Sequence, residues 1–123
     1  MAEESCGCSG APKLIFACSG AADVGAVGDQ AARKLTREGK GKMYCLAGLG
    51  GDVESIVETT KAASGMLVID GCPVDCAKKT VERVGLSGFA HIRVTDLGFE
   101  KGETPLTDEA VAKVAGSAAG KLA

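Results

Sequence analysis

Apolar residues fall into four short runs along the chain, each followed by a longer stretch with helical spacing. The first run, 13–18 (KLIFAC), lies between Pro12 and Ser19-Gly20 and reads as a buried strand. From 24 to 38, Val24, Val27, Ala31 and Leu35 recur at helical intervals. Asp29, Gln30, Arg33, Lys34 and Arg37 take the other side, which predicts an amphipathic helix stopped by Gly39 and Gly41. A second strand is predicted at 42–47 (KMYCLA), with Gly48-Leu49-Gly50-Gly51 as a tight strand-to-helix turn. Asp52 then caps a helix with Val53, Ile56, Val57 and Thr60 on one face. The third strand is 66–70 (MLVID), and Pro73 suits the first position of the helix that follows. A fourth, more polar strand is predicted at 89–95, and a last helix from about Thr107 carries Val111, Val114, Ala115, Ala118 and Leu122.

Strands alternating with helices, and strands of near-continuous apolar sequence, argue for an α/β fold with a parallel sheet covered on both faces. The expectation is a three-layer doubly wound sheet of about four strands, flavodoxin-like or Rossmann-like, in a single domain over 13–123. Right-handed crossovers restrict the topology, and a 2-1-3-4 strand order is expected. Residues 1–12, small and polar, read as a flexible arm carrying Cys6 and Cys8.

Composition narrows the function classes. The chain has 123 residues, enough for one core without disulfides or metal. A formal charge of −2, no Trp, one Tyr and three Phe argue against nucleic acid as a partner. The apolar runs are too short for a membrane span, and the acidic N-terminus does not resemble a secretory signal. The expected location is therefore the reducing cytoplasm, where six cysteines point to metal binding or redox work. The partner is expected to be a protein or a small molecule.

The positions of the cysteines carry the chemistry. Cys18 ends the first strand, Cys45 lies near the end of the second, Cys72 just follows the third, and Cys76 lies in the next helix. Open α/β sheets bind ligands at the carboxyl ends of their strands, so four thiols are expected at one edge. A tetrahedral zinc–thiolate site fits this arrangement. Three helix N-termini at the same edge offset part of the negative charge of four thiolates on one Zn²⁺. Asp70 and Asp75 oppose it; Asp75 reads as serving the helix start and Asp70 as orienting the turn at Gly71.

Cys18-Ser19-Gly20, Tyr44-Cys45-Leu46-Ala47-Gly48 with Gly50-Gly51, and Asp70-Gly71-Cys72-Pro73-x-x-Cys76 resemble the DGC-domain family, named for its Asp-Gly-Cys motif. The resemblance covers about 13–102. It implies a small prokaryotic protein with a zinc site at four cysteines, which carry over here as Cys18, Cys45, Cys72 and Cys76. Asp70, Gly71 and Pro73 are the motif's supporting residues. Cys6 and Cys8 lie outside the matching stretch and remain auxiliary thiols.

Three rival chemistries use the same residues. Cys72 and Cys76 could form a thiol–disulfide redox pair, with Cys6 and Cys8 as exchange partners. An iron–sulfur cluster has enough cysteines but none of the usual close spacings. Cys18 before a turn and helix resembles the low-molecular-weight tyrosine phosphatases, but the Arg expected six residues on is Val24. A phosphocysteine carrier using Cys18 leaves three cysteines unexplained. No catalytic constellation beyond the cysteines is evident, so enzyme status stays open. Lone His91 reads as a partly exposed residue on an edge strand, sharing a face with Arg93.

Overall fold

The centre of the sheet is built from two strands in which nearly every residue is buried: β1 (Lys13–Ala17) and β3 (Gly65–Asp70). They pair in parallel, and two shorter strands, β2 (Lys42–Met43) and β4 (Ala90–Arg93), flank them. A computed structural model describes residues 13–122. The 1–12 arm, with Cys6 and Cys8, lies outside the described residues. All pairings are parallel and the order is β2-β1-β3-β4, the expected 2-1-3-4.

Alternation along the strands sends side chains to two cores. Ile15, Ala17, Leu67, Ile69 and Ile92 meet α1 (Asp23–Arg37) and α5 (Asp108–Leu122) on one face. Leu14, Phe16 and Val68 meet α2 (Leu46–Gly50) and α4 (Cys76–Arg83) on the other, with α3 (Glu54–Lys61) packed alongside. The fold is thus the three-layer α/β sandwich that the apolar periodicity predicts, and α5 begins, as expected, with the Thr107 hydroxyl accepting the Ala110 N–H.

Three local boundaries depart from expectation. The second strand stops at Met43, because the apolar run after it is helical. Leu49, fully buried, is the anchor of α2, and the glycine-rich stretch is a short helix instead of a bare turn. Pro73 lies in a turn ahead of α4, which starts only at Cys76. The delay has a backbone cause: Asp75 has φ +59°, a left-handed conformation that breaks continuity with the preceding turn. The fourth strand ends at Arg93 and continues as a 3-10 turn, Val94–Leu97.

Candidate functional site

Glycines set how closely the cysteine-bearing turns can approach. A Cβ at Gly71 would lie 2.9 Å from the Gly25 nitrogen and 3.0 Å from the Val24 carbonyl carbon. A Cβ at Gly25 would in turn lie 2.9 Å from both the nitrogen and the oxygen of Gly20. The turn after β1 (Cys18-Ser19-Gly20) and the turn after β3 (Gly71-Cys72) therefore press against the first turn of α1. Separations this short leave no room for a side chain, which explains glycine at both contacts.

The Cys18 sulfur sits in this junction, half-buried, with the N–H groups of Gly20 and Gly71 directed at it. Burial pushes its thiol up from the ordinary value. The charges of Asp70 and Cys76 add to that, and the two N–H groups work against it. Cys18 and exposed Cys45 line one cavity of about 1020 Å³ between α1 and α2. Arg33, Arg37 and Tyr44 line it too. Cys45 precedes α2, and its Sγ accepts the Gly48 N–H at 3.3 Å. Cys76 opens α4 and is exposed.

Cys72 lies on the other face of the sheet from Cys18. It packs against the core on the α1/α5 face, while Cys18 packs against the opposite core. Its Sγ lies 3.6 Å from Lys101 Nζ. Asp23 holds the Lys101 loop by accepting the N–H groups of Gly102 and Thr104, each at 2.9 Å. All four described cysteines are free thiols, and no three of their sulfurs lie within 4.8 Å of one another.

Sequence reasoning understated the polar residues around these thiols. Asp70 is 1 % exposed, and its carboxylate accepts the N–H groups of Ala77 (2.8 Å) and Lys78 (3.1 Å). It therefore caps α4 from seven residues upstream, a larger role than orienting the Gly71 turn. Asp75 serves the helix start by backbone position only, since its side chain makes no cap hydrogen bond. Instead Arg93 Nε and Nη2 each donate to it at 2.7 Å. That guanidinium holds the Asp75 carboxyl below the ordinary carboxylate value, and Arg93 is pushed up in return. His91 is on the edge strand, as expected, but it is paired: Nε2 lies 2.8 Å from Asp70 Oδ2 and 3.7 Å from Asp75 Oδ1.

Among the described residues, Asp70, Asp75 and His91 have potential metal-ligating atoms within 4.8 Å of one another. The Asp70 oxygens accept the α4 N–H groups and the Asp75 oxygens accept from Arg93, so the trio is held in a hydrogen-bonded network. The sequence signal for it was partial and needed the strand pairing. The register pairs Asp70 with Arg93, and His91 shares the Arg93 face two residues away.

No described helix is long and apolar enough to cross a membrane. The DGC domain model matches residues 14–118. Over 88 residues the chain is 33 % identical to the anaerobic and virulence modulator AnvM of Pseudomonas aeruginosa, covering 72 % of this chain and 67 % of that protein. No solved structure matches the chain. The Asp70-Gly71-Cys72 turn, with the capping and close packing that explain its first two residues, thus lies within the matched region, and the chain belongs to the DGC-domain family.

Proposed function

We propose that this protein binds zinc through Cys18, Cys45, Cys76 and Cys72 at the carboxyl edge of its sheet. The observation that carries this reading is the convergence of three thiols on the α2/α4 side. Cys18 packs against the α2/α4 core and lines one cavity with Cys45, and Cys76 opens α4. Free thiols from separate loops are the donor chemistry that zinc selects. Tetrahedral zinc with Zn–S of about 2.3 Å requires sulfurs closer together than they are here, so the loops that carry the four thiols must draw together on binding. Zinc at such a site supplies a cross-link between three loops and is closed to substrate when all four thiolates bind.

A regulatory role agrees with a centre built from thiols on separate loops. AnvM is named as an anaerobic and virulence modulator. A metal–thiolate centre is a fitting oxygen-sensitive element for such a role, because oxidised thiols release metal. Elemental analysis of protein purified without oxygen tests the reading. About one zinc per chain is expected, falling in the Cys18→Ser and Cys76→Ser variants.

A second reading has one observation of its own: the Lys101 ammonium lies against Cys72. That contact singles out Cys72 as the attacking member of a redox pair with Cys76. Metal-free protein with a reversible Cys72–Cys76 disulfide would support that reading over zinc.

A further inference from the structure

The loop between Cys72 and Cys76 has no secondary structure of its own and contains a residue in an unfavourable backbone conformation. Asp75 is held at φ +59°, ψ +42°, in the left-handed region that residues other than glycine rarely adopt. Such a conformation persists only when the surroundings impose it. Here they come from one strand. Arg93 grips both Asp75 oxygens, and His91 bonds to Asp70. The Thr95 N–H, just beyond, donates to the Gly71 carbonyl at 3.2 Å. The Asp75 N–H returns to the Cys72 carbonyl at 3.1 Å, so the anchored residue also closes the turn on Cys72.

We infer that β4 is a positioning strand for the cysteine loop, with Arg93 and His91 clamping Asp75 and Asp70 so that the loop from Cys72 to Cys76 is held in one path and Cys72 stays half-buried. The clamp is more than a surface ion pair. Asp75 is only 8 % exposed and the Arg93 contact is bidentate, a geometry that fixes direction as well as distance. Asp70 and Asp75 bracket Cys72 in sequence, Cys76 directly follows Asp75, and each aspartate is tied to the same strand. The inference rests on the reading that these thiols are the working groups, and it assigns their support to residues outside the Asp-Gly-Cys motif.

The test uses the full chain with Arg93→Gln, Arg93→Lys and Asp75→Gly. Metal-free protein is alkylated with iodoacetamide, and each cysteine is followed by mass spectrometry. Losing a charge-assisted contact should open the loop, so half-buried Cys72 should react roughly tenfold faster in Arg93→Gln. Cys45, on a different loop, should not change. Arg93→Lys should fall between, since an ammonium cannot reproduce the two-point grip. Asp75→Gly relieves the backbone strain and removes only the anchor, so it should still accelerate Cys72. Unchanged Cys72 reactivity in both Arg93→Gln and Asp75→Gly would overturn the inference, as would equal acceleration of Cys72 and Cys45. If the unmutated protein holds no zinc, the zinc reading fails, and the ratio of Cys72 to Cys45 alkylation alone decides the clamp.

Discussion

Replacing Gly71 by Ala should destabilise the protein and loosen the thiol site together. The added Cβ would meet the Gly25 nitrogen at 2.9 Å, the Val24 carbonyl carbon at 3.0 Å and Val24 Cγ2 at 3.1 Å. Two of these neighbours are backbone atoms of the first turn of α1, which cannot swing aside as a side-chain tip can. Relieving such an overlap costs about 1–3 kcal/mol. Ala also restricts the unfolded chain, which offsets about 0.4–1 kcal/mol. The net expectation is a loss of roughly 1–2 kcal/mol, which lowers Tm by about 4–8 °C for a domain of this size. Urea unfolding followed by circular dichroism gives the free energy, and Gly116→Ala is the control. Gly116 lies in α5 with open space where its Cβ would be, so that variant should gain about 0.5–1 kcal/mol. The two substitutions are chemically identical and should act with opposite sign. A Gly71→Ala protein as stable as the native one would refute the argument that close approach to α1 dictates glycine in the motif.

Other expectations follow from the same geometry. Asp70→Ala would leave the Ala77 and Lys78 N–H groups and His91 without their acceptor, and should cost about 2–4 kcal/mol in urea unfolding. Phe16→Ala, at a fully buried position in the sheet centre, should cost about 3–5 kcal/mol. Acid unfolding should be set by Asp23, Asp29 and Asp75, whose carboxyls are all held below their ordinary value in the fold. Backbone N–H groups act on the first. Burial works against the shift at the second, where Arg33 and Ser19 outweigh it, and Arg93 acts on the third. Their contribution is present above the unfolded carboxylate value near pH 4 and is lost as pH falls through the lower folded values. Asp23→Asn should flatten that acid limb in a pH series of unfolding curves. In metal-free protein at pH 7, Cys18 should be alkylated more slowly than Cys45, because its thiol is both half-buried and shifted up.

The layers and strand order were legible because β1 and β3 are apolar throughout and helical spacing separates the strands. The carboxyl-edge position of the cysteines followed from that topology. The course of the chain after Met43 was not legible, since a short apolar run such as Leu46–Gly50 fits a buried strand and a buried helix equally well. Nor was the side of the sheet that each thiol takes. Cys72 follows β3 after Gly71, and the turn carries it to the α1/α5 face, away from Cys18. The largest omission was β4. His91 and Arg93 look like solvated residues of an edge strand until the register sets Arg93 beside Asp70 and α4 begins with Asp75 on the same side. Charge partners far apart in sequence become visible only once strand pairing is known.

X-ray absorption spectroscopy at the zinc edge, on protein loaded with one equivalent, tests the central claim most directly. Four sulfur neighbours at about 2.3 Å are predicted, with one sulfur lost in each of the Cys18, Cys45, Cys72 and Cys76 serine variants. A first shell of nitrogen and oxygen at about 2.0–2.2 Å, as Asp70, Asp75 and His91 would give, would contradict the account.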